Sequence, residues 1–151
     1  MSSSPSSLYK AYSVATRTVA KTRQVVMLYD GTIRFLKQAI LAIGEKRIED
    51  RFNLLTKASE IMVGLQSSID FDNGGEIANV LHRFYTNISR RIILVNFTKD
   101  VEAAKKQCNE LIQELKQMRD IWDNIDHSLG KPDSASAKSD ANAVNGTVLS
   151  A

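Results

Sequence analysis

Proline is missing from the whole stretch between Pro5 and Pro132, and the 151-residue chain holds only 7 glycines. Loop-rich and all-β folds need more of both, so the shortage points to long, uninterrupted helices. Cysteine occurs once, at Cys108, which excludes an internal disulfide and offers no metal-site spacing. A reducing compartment fits that usage. No apolar run approaches the roughly 20 residues that a bilayer-spanning helix takes, and no signal peptide with a hydrophobic centre is visible, so a cytoplasmic protein without membrane insertion is expected. Acid is also absent ahead of Asp30, while Lys10, Arg17, Lys21 and Arg23 stand there among serines and threonines. That pattern fits a solvated N-terminal arm, expected over residues 1–18, and an organellar transit peptide is its rival.

The usual sites of helical-bundle chemistry are missing as well. A di-metal carboxylate site needs Glu three residues before His on two helices. Asn79 and Asn124 occupy those places ahead of His82 and His127. Gly74 and Gly75 lack the Lys and Ser/Thr of a phosphate-binding loop, and neither histidine has an obvious acid to orient it. Neither enzymatic activity nor a cofactor is expected. A net charge of +3 is too small to imply a nucleic-acid partner, and Arg90 and Arg91 with Phe84 and Tyr85 only loosely approach a basic, aromatic-interleaved stripe.

What the chain does have is periodicity. Val101, Ala104, Cys108, Leu111, Leu115, Met118, Trp122 and Ile125 alternate steps of three and four, a packed helical seam that Asp100 or Thr98 can cap. Cys108 therefore reads as a small core residue. Ile48, Phe52, Leu55, Ala58, Met62, Leu65 and Ile69 form a second seam, and Ile77, Leu81, Phe84, Ile88, Ile92 and Val95 a third. The first helix carries two stripes: Val26, Tyr29, Ile33, Leu36, Ile40 and Ile43, and beside it Val25, Leu28, Phe35, Ala39 and Ala42. An apolar arc that wide places a helix centrally in a bundle or shares its second face with a ligand. Gly31 lies within this run, where glycine costs about 1 kcal/mol relative to alanine and so calls for a reason such as close backbone approach. Short connections at 44–47, 70–75 and 96–99 make neighbouring helices antiparallel. The expected fold is all-α: an antiparallel up-down four-helix bundle over residues 19–126, with a mobile arm before it. Residues 127–151, rich in Ser, Ala, Asn and Asp, are expected to form a disordered tail.

Several of these residues also carry a family resemblance. Val25, Val26, Met27, Leu28, Tyr29, Asp30, Gly31, Thr32, Ile33, Arg34, Phe35 and Leu36 resemble the opening helix of flagellin-specific export chaperones, the FliS family. The likeness continues at Lys57 and Ala58, through residues 70–78, at Tyr85, Arg90, Arg91 and Asn96, and at Trp122. Lys21 and Thr22 stand where many members carry a Ser-Pro or Thr-Pro step. The resemblance implies an ATP-independent cytoplasmic chaperone that binds the disordered C-terminal region of flagellin, prevents premature polymerisation and keeps it competent for export. It also raises the flagellar export apparatus as a partner. Tyr9 and Tyr12 would belong to an arm that covers part of a hydrophobic groove. Val26, Tyr29, Ile33 and Leu36 are the groove candidates on the first helix, with core packing as the competing reading of each. Apart from the family, the same periodicities suit a scaffold or adaptor bundle that binds another amphipathic helix or itself.

Overall fold

Four long helices make up the computed structural model, which describes Ser7, Leu8, Ala11 and residues 22–129. They are α1 (Thr22–Gly44), α2 (Ile48–Ser67), α3 (Phe71–Leu94) and α4 (Val101–Leu129), with a 3-10 turn at Val95–Phe97. Short links join successive helices, so they run up and down in alternation as an antiparallel four-helix bundle. Helix α1 packs against both α2 and α4, and α2 against α3. That central position accounts for the wide apolar arc of α1, since one helix must cover two neighbours.

The chain breaks where its local chemistry dictates. Asp70 caps α3: its carboxylate accepts from the backbone N–H groups of Asp72 at 3.1 Å and Asn73 at 3.2 Å. One turn later Gly75 takes φ 56° and ψ −140°, a backbone conformation only glycine adopts without strain, and kinks the helix there. Asp100 is the cap of α4, accepting from Ala103 N–H at 2.8 Å. The expected connection at 44–47 lies between the end of α1 at Gly44 and the start of α2 at Ile48. Gly44 is still helical, and the left-handed residue is Lys46 at φ 58°. Arg47 N–H donates to Ala42 C=O at 2.9 Å and Lys46 N–H to Ile43 C=O at 3.2 Å, the paired bonds of a Schellman cap with lysine where glycine is usual.

Three seams pack largely as their spacing predicts. Ala104, Cys108, Leu111, Leu115, Trp122 and Ile125 of α4 are buried, as are Leu81, Ile88 and Ile92 of α3 with the adjoining Val95. The α2 seam begins later than expected, at Leu55, because Ile48 and Phe52 are 78% and 56% exposed. The reason lies between them. Arg51 reaches across to donate to the backbone carbonyls of Val95 and Thr98, so a cation closes the start of α2 against the 3-10 turn and leaves those two apolar side chains outside. At the opposite end α4 continues three residues past the expected boundary at Asp126, to Leu129. Ser128 and His127 both hydrogen-bond back to carbonyls four residues earlier in this last turn. Residues 1–6, 9–10, 12–21 and 130–151, which carry the expected arm and tail, lie outside the described residues.

Charged residues fasten α1 to α4. Arg119 Nε donates to Asp30 Oδ1 at 2.9 Å, Arg23 pairs with Asp123 at 3.6 Å, and Thr22 Oγ1 donates to Asp126 Oδ1 at 2.9 Å. The Asp30 hydrogen bond raises the pKa of the Arg119 guanidinium above its ordinary value. On the far side Arg91 of α3 meets Glu114 of α4 at 2.6 Å, and that hydrogen bond likewise raises the pKa of Arg91.

Candidate functional site

The four groove candidates on α1 are core residues. Val26, Tyr29 and Leu36 have no exposed surface and Ile33 is 7% exposed. The Tyr29 hydroxyl bonds that of Tyr85 at 3.0 Å inside the bundle, and its ring lies 6.4 Å from Phe84 and 6.2 Å from Tyr85. Two residues that carried the family resemblance are thus one buried contact between α1 and α3. For Val26, Tyr29, Ile33 and Leu36 burial favours the competing core-packing reading, because this stripe faces inward between α2 and α4. Tyr9 and Tyr12 lie outside the described residues. Their neighbour Leu8 is half-buried and packs against the core.

Part of the apolar surface left over by the core lies on α1, beside the buried stripes. Met27 and Leu41 are each 61% exposed and Leu28 41%. They line a groove between α1 and α2 in two stretches. The first, about 350 Å³, is bordered by Gln24, Met27, Leu28, Gly31, Arg34 and Phe35 of α1 and by Ile61 of α2. The second, about 390 Å³, lies between Gln38 and Leu41 on one side and Asn53, Leu54 and Lys57 on the other. Phe35 joins them. The Arg34 guanidinium sits 5.7 Å from its ring centroid and the Lys57 ammonium 5.8 Å, so a half-buried aromatic is bracketed by two cations from different helices.

Two other surface grooves differ in chemistry. The one between α1 and α4 is rimmed by charge, bordered by Asp30, Arg34, Lys37, Lys116, Arg119 and Asp120 around Ile33. That between α3 and α4 is smaller, about 200 Å³, and is flanked by Arg91, Gln107 and Glu110 with Leu94 and Leu111. The stretch of the α1–α2 groove around Met27, Leu28, Phe35 and Ile61 has an apolar floor, which is what an amphipathic helix needs. Sequence reasoning missed Met27 and Leu41 as surface. The available signal was that Met27 and Leu41 are apolar yet fall outside both stripes of α1.

Comparison with known proteins follows the same residues. The family described as flagellar protein FliS matches residues 2–129. The chain is 29% identical over 118 residues to the flagellar secretion chaperone FliS of Campylobacter jejuni, covering 78% of this chain and 89% of the relative. It is 30% identical over 105 residues to the flagellar secretion chaperone FliSB of Pseudomonas aeruginosa, covering 70% and 80%. Against the flagellar secretion chaperone FliS of Salmonella typhimurium it is 28% identical over 112 residues, covering 74% and 80%.

Proposed function

The chain belongs to the FliS family, and on that premise we propose that it is a flagellar secretion chaperone, without enzymatic activity, that holds the C-terminal segment of flagellin in the cytoplasm until export. The observation that carries this reading is the α1–α2 groove, along which Met27, Leu28 and Leu41 are exposed. An export substrate must stay unfolded and unpolymerised, and its terminal segments are then amphipathic chains with apolar faces to hide. Burying such a face in a groove needs no nucleotide. Ordering the segment consumes about 2–5 kcal/mol of the gross interaction energy, so the contact is a long wrapped surface in place of one deep pocket.

Tyr9 and Tyr12 take part in this reading as members of an N-terminal arm that touches flagellin or covers its groove. Support comes from Leu8, which packs against the core cluster next to them. No helix among the described residues is long and apolar enough to cross a membrane.

Titration calorimetry of the whole chain against the C-terminal flagellin segment of the same organism tests the proposal. One-to-one binding with a large negative heat-capacity change is expected. A folded protein that does not bind the segment would refute it and leave the adaptor bundle as the reading to pursue.

A further inference from the structure

The outer face of α2 and α3 carries apolar surface that neither the core nor the α1–α2 groove uses. At about 100° per residue, Ile48, Phe52 and Val63 lie on the side of α2 opposite Leu54, Lys57 and Ile61, which line that groove. All three are exposed, and Phe97 in the 3-10 turn is 75% exposed. The antiparallel register brings Ile48, Phe52 and Phe97 to one end of the bundle. Ser59 Oγ donates to Ser89 C=O at 3.4 Å and Arg51 to Thr98 C=O at 2.9 Å, so Phe52 stands level with Asn96 and Phe97, and Glu49 level with Lys99.

Charge divides this face between its two helices. With Arg51 turned to the 3-10 turn, the charges that α2 offers here are Glu49 and Glu60. No acid occurs between Glu76 and Asp100, a stretch that holds Arg83, Arg90, Arg91 and Lys99. Arg91 is paired with Glu114, but Glu49, Glu60, Arg90 and Lys99 make no ion pair among the described residues. Acid on α2 and base on α3 also match in height, Glu60 lying about 3 Å along the axis from Arg90 in the register that Ser59 and Ser89 set.

We propose that this face docks a second copy of the chain in a two-fold dimer whose axis runs parallel to the bundle. Rotation about such an axis lays α2 of each copy across α3 of the other at unchanged height. Phe52 then meets Phe97, Glu49 meets Lys99 and Glu60 meets Arg90 of the second copy, each contact made twice. A two-fold axis across the helices would instead set acid-edged α2 on its own copy, against like charge. The dimensions suffice: two helices about 10 Å wide and about 30 Å long present about 600 Å² per protomer, which reaches the total of about 1,200 Å² at which stable interfaces begin. At about 200 Å² per phenylalanine, Phe52 at 56% and Phe97 at 75% exposure supply about 500 Å² of apolar area between two copies. The α1–α2 groove stays open, so the dimer does not depend on the chaperone reading.

Sedimentation equilibrium of the full chain tests the proposal, with helix content and melting temperature recorded for every variant. From low micromolar to sub-millimolar concentration the mass is expected to rise from that of one chain to that of two. Phe52→Ser with Phe97→Ser is expected to hold the chain as a monomer with unchanged helix content, because both side chains lie outside the core. Glu49→Lys and Lys99→Glu are each expected to weaken the dimer about fivefold or more at low salt, and the two together to restore it, since the exchange re-forms the pair between copies. A wild-type chain that stays monomeric, a dimer that survives Phe52→Ser with Phe97→Ser, or a double reversal weaker than either single change would overturn the proposal. If the wild type is monomeric and the phenylalanine variant also fails to bind the C-terminal flagellin segment, the face belongs to flagellin and not to a second copy.

Discussion

Leu36→Ala and Met27→Ala separate the two kinds of apolar residue on α1. Leu36 is fully buried between α2 and α4, whereas Met27 keeps 61% of its surface in water. Truncating Leu36 removes three carbon groups worth about 0.8 kcal/mol each when buried, or about 2.4 kcal/mol. Because α1 has a helix on either side, the hole cannot close freely, and a cavity contribution brings the loss to about 3–4 kcal/mol. For a domain of this size that lowers the melting temperature by about 12 °C or more. The same change at Met27 removes mostly solvated atoms and gains helix propensity, so it should cost under about 1 kcal/mol. Urea unfolding followed by the far-ultraviolet helix signal and by Trp122 fluorescence measures both. Trp122 is the chain's one tryptophan and is 1% exposed, so its emission reports directly on the core. Binding of the flagellin segment at a temperature where both variants are folded supplies the other axis. Leu36→Ala should retain affinity and Met27→Ala should lose it. A Leu36→Ala protein as stable as wild type but deficient in binding would return the buried stripe to the groove and refute the division drawn here.

Two further outcomes follow from local geometry. Lys46 holds a left-handed conformation at the end of α1, which is unfavourable by about 1–2 kcal/mol for a residue with a Cβ, so Lys46→Gly should raise stability by about 1 kcal/mol in the same urea assay. A stability loss would mean that the lysine side chain contributes more than its backbone strain removes. Burial pushes the Cys108 thiol up to about 11 from its ordinary 9.0, the charge of Arg51 partly opposing the shift. Between those values the folded protein holds a proton that the unfolded chain has released. The contribution is therefore complete below pH 9 and is lost as the pH rises towards 11. Subtracting the stability of Cys108→Ala from that of wild type across pH 8 to 11 isolates it, and a flat difference would show that the thiol is not desolvated.

Periodicity made the bundle legible because a packed helix must repeat its apolar residues every three to four positions whatever its partner is. That is why the α4 seam from Ala104 to Ile125 and the α3 seam from Leu81 to Val95 were readable outright. The same property sets its limit. A period says that a residue faces one direction, and it does not say whether anything stands there. Ile48 and Phe52 continue the α2 period and face solvent, since Arg51 makes the contact to the 3-10 turn in their place. The connection at 44–47 was readable from Gly44, whereas the left-handed cap residue, Lys46, was not, because it is set by the hydrogen bonds of Arg47 and Lys46 back to the last turn of α1.

The groove required both kinds of information. Two stripes on α1 announced more apolar surface than one neighbour can cover, and tertiary packing buries most of both. Tertiary packing assigned Tyr29 and Leu36 inward, through the Tyr85 hydroxyl and the α2 and α4 faces, and so left Met27, Leu28 and Leu41 outside. Hydrophobic residues that fall between the seams of a central helix are therefore the sharper sequence signal for a docking face. The seams themselves are already committed to the fold, whereas an apolar side chain in the gap has no neighbour within the bundle to stabilise it. Met27 and Leu41, 14 positions apart and both 61% exposed, mark a line of roughly four turns along α1, long enough for an amphipathic helix to lie against.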